Sequence, residues 1–138
     1  MNYNDFNKYV YWLGKYIPQN MQEEAMKELC NCDEKYVKYI IDINNAHTWE
    51  NALKVICKIG YPKNRTAMSA ILYLFQDINW KTTEQSIKLV EDIYSHEPQM
   101  VLQAIDDATK TAANDDDWLF GLECLRRKLE KEDKRQLV

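Results

Sequence analysis

Leu74-Phe75-Gln76-Asp77-Ile78-Asn79-Trp80 is the stretch where one apolar helix stops and another soon begins. Before it, Ala67, Ile71, Leu74 and Phe75 recur at helical spacing, which predicts a helix over residues 63–76 with those four facing inward. After it, Ile87, Val90 and Tyr94 mark the buried side of a second helix over residues 83–94, and Glu84, Lys88 and Glu91 its solvent side. Two amphipathic helices about a tight polar turn make a helical hairpin. No credible strand pair occurs on either side of it, so the fold class is all-α.

The same reading extends to both ends. Towards the N-terminus, Thr48 is placed to cap a helix ending at Ile59, where Gly60 and then Pro62 stop it. The Asn44-Asn45-Ala46-His47 stretch reads as a loop, and Asp33 as the start of a helix burying Tyr36, Val37, Ile40 and Ile41. Asn20 with Glu23 resembles a capping pair for a helix reaching Cys30. Phe6, Val10, Leu13 and Ile17 form the first stripe, flanked by Tyr9 and Tyr16 and ended by Pro18. Towards the C-terminus, Pro98 suits the first turn of a helix running to about Ala112. The last helix begins near Asp115 and carries Trp118, Leu122, Leu125 and Leu129 on one face.

About eight short helices in antiparallel pairs result, as a HEAT-like α-solenoid or a compact irregular bundle. They form one domain of residues 1–138: N-terminal helices over 1–60, helical hairpins over 61–130, and a charged tail over 131–138. Trp12 and Trp118 fall on or beside apolar stripes and are expected in the core. Trp49 and Trp80 sit near helix starts, where Trp80 either packs over its own turn or stands exposed as an interface anchor.

Hydrophobic residues make up 46% of the chain and charged residues 29%, so it is neither disordered nor membranous. No run approaches the roughly 20 apolar residues that span a bilayer, and the first residues lack a basic segment followed by an apolar one. The expectation is a cytoplasmic protein without membrane contact. Residues 1–69 carry nine basic and eight acidic groups, and residues 70–138 nine and fourteen. From Asp77 to Glu123 eleven acids face three lysines, a local charge of −8. Direct binding of a nucleic-acid backbone needs clustered cations, and this balance argues against it; the acidic surface reads either as one that steers basic partners or as an ordinary solvated face. Asp77, Glu84, Glu91, Asp106, Asp107, Asp115, Asp116 and Asp117, with Trp80 as an aromatic anchor, are the candidate contact residues.

Catalytic chemistry finds little support. His47 and His96 have no partner at catalytic or metal-ligand spacing, and three glycines cannot build a phosphate cradle. Cys30-Asn31-Cys32 is not a Cys-x-x-Cys pair, and no second pair completes a zinc site. Cys57 and Cys124 fall among helical apolar residues as small hydrophobes. Asp115-Asp116-Asp117 coincides with a helix start, where the free amides and the helix dipole stabilise carboxylates. The reading is a non-enzyme with no cofactor and no metal.

The Gln76-Asp77-Ile78-Asn79-Trp80 turn, followed by a helix and then Asn114-Asp115-Asp116-Asp117-Trp118, resembles a pattern in a family of small bacterial helical domains with HEAT-like architecture. There a Gln-Asp-x-Asn-Trp turn precedes a helical hairpin, and an Asp-Asp-x-x-Trp-type motif opens the last helix. The resemblance covers about residues 60–130, and Lys81 stands where the family has proline. Such proteins are similar to immunity proteins of bacterial polymorphic toxin systems, including contact-dependent growth inhibition. The resemblance implies a cytoplasmic inhibitor, monomeric when free, that blocks a cognate toxin domain, commonly a basic nuclease. The alternatives are an α-solenoid adaptor for a cellular protein or peptide and, third, a metal-dependent hydrolase built on Asp115–Asp117.

Overall fold

In the computed structural model, which describes residues 1–78 and 81–136, every regular element is helical. Among the described residues no helix is long and apolar enough to cross a membrane. The chain forms two compact units, Met1–Ala70 and Ile71–Val138.

The first unit opens with α1 (Tyr3–Trp12) and α2 (Gln19–Leu29). Asn2 caps α1, its side chain accepting the Asp5 N–H at 2.8 Å, and Phe6 and Val10 supply the buried stripe. The helix stops well short of Pro18. Leu13 N–H and Gly14 N–H turn back to the Val10 and Tyr11 carbonyls, tightening the last turn, and Lys15 N–H then binds the His47 carbonyl at 3.1 Å. Asn20 does not cap α2. Pro18 occupies the cap position, and its carbonyl takes the Met21 and Gln22 amides, which leaves Asn20 inside the first turn.

Buried Gln22 explains how the α1–α2 connection is held. Its Nε2 donates to the Ile17 carbonyl at 2.6 Å, and its Oε1 accepts from Asn51 Nδ2 at 2.8 Å. Asn51 also donates to the Leu13 carbonyl at 2.8 Å. Carbonyls freed where α1 ends are thus satisfied by side chains of later helices, as buried backbone requires.

The helix started by Asp33 is only one turn, α3 (Glu34–Val37), yet Ile40 and Ile41 remain buried beyond it. Next come the 3₁₀ turn η1 (Ala46–Thr48) and α4 (Trp49–Ile59), which buries Ala52, Leu53, Val55 and Ile56. Thr48 holds the N-cap position of α4 as expected but makes no side-chain cap bond; its hydroxyl donates backwards to the Asn45 carbonyl at 2.8 Å. Gly60 ends α4 at φ 78°, a left-handed conformation that side chains disfavour. Cys57, expected as a buried hydrophobe, is exposed, and Cys124 is half-buried.

The single helix expected over residues 63–76 is three elements: η2 (Lys63–Ala67), α5 (Met68–Tyr73) and η3 (Leu74–Gln76). Polar tethers set the break. Lys63 Nζ reaches the Cys32 carbonyl at 2.5 Å, and fully buried Asn64 donates to the Ile56 carbonyl at 3.2 Å.

The second unit contains η3, α6 (Thr82–His96), α7 (Pro98–Thr111) and α8 (Asp116–Gln136). Pro98 stands in the first turn of α7, where its missing N–H costs nothing. Tyr94 near the end of α6 meets Asp133 near the end of α8, and η3 packs against both helices, so α6 and α8 run parallel. Pro98 at the start of α7 lies beside Glu132 and Asp133 near the end of α8, and Asp106 further along meets Arg126, which sets α7 antiparallel to them. Val90, Ile93, Val101, Ile105, Leu122, Leu125 and Leu129 fill the core. Leu89 and Ile93 take core places on α6, and Ile87, expected inside, is half-buried.

Trp118 is a core residue. It is 8% exposed, its Nε1–H donates to the Leu72 carbonyl at 3.0 Å, and its ring meets Tyr73 edge-on at 5.5 Å. One turn along α8, Gly121 lets η3 approach so closely that a Cβ there would lie 2.0 Å from the Phe75 carbonyl oxygen.

Candidate partner-binding surfaces

The second unit carries the acidic residues picked out in sequence, and the fold sorts them by what each already binds. Asp115 precedes α8 and accepts the Trp118 N–H at 3.1 Å, so its carboxylate caps the helix. Asp106 holds Arg126 at 2.5 Å, while Asp107 accepts from Gln103 Nε2 at 3.0 Å. Glu84 pairs with Lys88 at 3.3 Å, an i,i+4 contact on the exposed face of α6. Asp77 is exposed beyond η3, and its carbonyl accepts the Thr83 hydroxyl at 3.4 Å. Trp80 lies outside the described residues. Asp116 and Asp117 are exposed in the first turn of α8 and form no ion pair among the described residues.

These carboxylates do not make one cluster. Asp106 faces Arg126, ten residues along α8 from Asp116, a separation of about 15 Å at 1.5 Å per residue.

The spacing of the sequence concealed a second concentration of charge. Where the ends of α6 and α8 meet, Glu91, Asp92, Glu132 and Asp133 line a cavity of about 430 Å³ with Lys88, Tyr94, Ser95 and Pro98. Tyr94 is buried, and its hydroxyl donates to Asp133 Oδ2 at 2.5 Å. That hydrogen bond, aided by burial, pushes the phenol from its ordinary value of 10 up to about 12. Glu91 was picked out in sequence; Glu132 and Asp133 fell in the stretch read as a charged tail. Only the parallel course of α6 and α8 joins them.

The first unit presents a surface of another kind. Tyr3, Asn7 and Tyr11 recur every four residues along one face of α1, opposite Tyr39, Asp42 and Ile43 from the segment after α3. Between them runs a groove of about 650 Å³, floored by buried Phe6, Val10 and Ile41. Its rims are open: Tyr3 is 66%, Tyr11 64% and Tyr39 58% exposed. Phe6 is fixed from below by stacking on Tyr36 at 4.7 Å. Sequence reading assigned Tyr3, Tyr11 and Tyr39 no role. The signal open to it was Tyr3 and Tyr11 at i and i+8, off the apolar stripe.

The remaining reactive side chains are dispersed. His47 and His96 are exposed, and the His47 ring meets Tyr16 at 4.9 Å. Burial raises the Cys30 and Cys32 thiols above their ordinary range, with Lys58 and Lys63 respectively acting in the opposite direction. Among the described residues no three His, Cys, Asp or Glu side chains are arranged to hold a metal ion. No family model matches the chain, and no curated protein or solved structure shows significant similarity to it.

Proposed function

We propose that this protein is an immunity-type inhibitor, which binds a basic toxin domain through the carboxylates of its second unit and blocks it by steric cover and charge. The observation that supports this is the exposure of Asp116 and Asp117 in a unit where fourteen acids outnumber nine bases over residues 70–138. Cations that a nuclease offers to phosphate would meet these carboxylates instead. Complementary charge of this kind speeds encounter and slows release. The work asked of the protein is binding alone, with no cofactor, and the free protein is a monomer acting in the cytoplasm.

The test is co-expression with the tagged product of the neighbouring gene. A one-to-one complex that relieves toxicity, and whose association slows as salt rises, is the expected result. Asp116→Lys with Asp117→Lys should weaken that complex without lowering the thermal midpoint by more than a few degrees. A complex indifferent to salt and to both reversals would overturn the acidic-surface reading. Absence of any complex or rescue would overturn the inhibitor reading itself.

A further inference from the structure

We infer that the tyrosine-rimmed groove of the first unit binds an extended, proline-rich segment of a partner protein, anchored by an arginine of that segment on Asp42.

The floor and rims call for different things. Phe6, Val10 and Ile41 offer a narrow apolar base, whereas Tyr3, Tyr11 and Tyr39 offer ring faces tipped with hydroxyls. None of those hydroxyls has a hydrogen-bond partner among the described residues, and neither Tyr3 nor Tyr11 has a ring or cation against it. One face of Tyr39 is already covered by Lys38 Nζ at 5.1 Å from the ring centroid. An extended segment suits this arrangement because its carbonyls are free to accept from phenols. A helix has its carbonyls bonded internally and offers the tyrosine hydroxyls fewer acceptors. Polyproline segments dock between aromatic rings with their conformation largely set beforehand. Tyr3 and Tyr11 are eight residues apart, about 12 Å along α1, which matches roughly four residues of polyproline helix at 3.1 Å each.

Charge identifies the anchor. Asp42 is the one ionisable carboxylate lining the groove. Its Oδ1 accepts the Asn44 N–H at 3.0 Å, which orients the side chain, and its Oδ2 has no partner among the described residues. A guanidinium can pair with that oxygen and lie flat against a neighbouring tyrosine, which an ammonium does less well. The occupant is not a second copy of these 138 residues, whose three prolines, Pro18, Pro62 and Pro98, stand singly.

The test is an amide-resolved NMR titration of the full chain with a capped Pro-Pro-Arg-Pro-Pro-Arg-Pro-Pro peptide. Matched peptides carry Glu for Arg, or Ala for Pro. The expected result is shifts confined to Tyr3, Asn7, Tyr11, Tyr39 and Asp42, with affinity falling about tenfold in Asp42→Asn and in Tyr11→Ala. The Glu peptide should not bind, and the Ala peptide should bind more weakly than the parent. Shifts elsewhere, or unchanged affinity in Asp42→Asn, would overturn the inference. So would a concentration-dependent dimer abolished by Tyr11→Ala, which would give the groove to a second copy. The Asp116→Lys, Asp117→Lys variant separates this inference from the inhibitor reading. Peptide binding should persist there unchanged, and its loss would move the arginine to the second unit and refute the groove.

Discussion

Gly121→Ala is the substitution whose effect should run opposite to its helix propensity. In an exposed helix interior, alanine for glycine stabilises by about 1 kcal/mol. At Gly121 the new Cβ would stand 2.0 Å from the Phe75 carbonyl oxygen, 3.0 Å from its carbonyl carbon and 3.1 Å from Ile78 Cγ2. The nearest of these is backbone, and Phe75 behind it is 1% exposed, so η3 cannot recede into solvent. Overpacking of this severity costs about 3 kcal/mol, leaving a net loss of about 2 kcal/mol after the helical gain. In urea the midpoint should fall by about 1 M with the slope unchanged, and the melting temperature by about 7 °C. Gly14→Ala is the control. There a Cβ meets only ordinary contacts, 3.4 Å from the Tyr11 carbonyl oxygen and 3.5 Å from Ile17 Cγ1, so stability should hold or rise. A Gly121→Ala protein as stable as the wild type would refute the close approach of α8 to η3.

Three further outcomes follow from the same contacts. The Tyr94 phenol has a higher value folded, about 12, than its ordinary 10, so the stability it contributes is complete below 10 and is lost as pH rises through about 12. The stability difference between wild type and Tyr94→Phe should therefore be constant near neutrality and shrink above pH 10; a flat difference would mean the Asp133 bond is not made. Asn51→Leu strands the Leu13 carbonyl and Gln22 Oε1 and should cost about 2 kcal/mol, with Gln22→Leu adding less than its own effect in the double variant. Asp115→Ala removes the α8 cap and should lower stability by about 1 kcal/mol while leaving salt-dependent binding intact.

The parts of the fold legible in sequence are those where periodicity and tertiary burial coincide. Trp118, Leu122, Leu125 and Leu129 lie on one stripe of α8 and are buried together. Gly60 and Pro98 act through backbone geometry alone, so their roles could be read locally. The parts that were not legible depend on partners far along the chain. Thr48 has the chemistry of a cap, yet its hydroxyl turns back to Asn45. Residues 63–76 have the period of one helix, but Lys63 and Asn64 are drawn to carbonyls of Cys32 and Ile56. The tyrosine groove joins residues 3–11 to residues 39–43, and no local pattern announces that meeting. Asn79 and Trp80, central to the expected turn, lie outside the described residues.

A run of eleven acids treats every carboxylate as equal, whereas a partner meets only those not already engaged. Asp115 caps α8, Asp106 holds Arg126, Glu84 holds Lys88, and Glu123 holds Arg127 at 3.2 Å. Asp107 accepts from Gln103, and among the others two groups stand together: Asp116 with Asp117 at the start of α8, and the Glu91 and Asp92 cavity beside its far end. Sixteen residues separate Asp116 from Glu132, about 24 Å along the helix. That span suits a protein face of ordinary interface size and is too long for any small cation to bridge. A basic partner of this unit should therefore carry two cationic patches about 24 Å apart. Charge reversals at the two foci lie too far apart to share a contact, so their effects on binding free energy should add. If reversal at one focus cancels the effect of the other, the partner touches a single focus and the two-patch geometry is wrong.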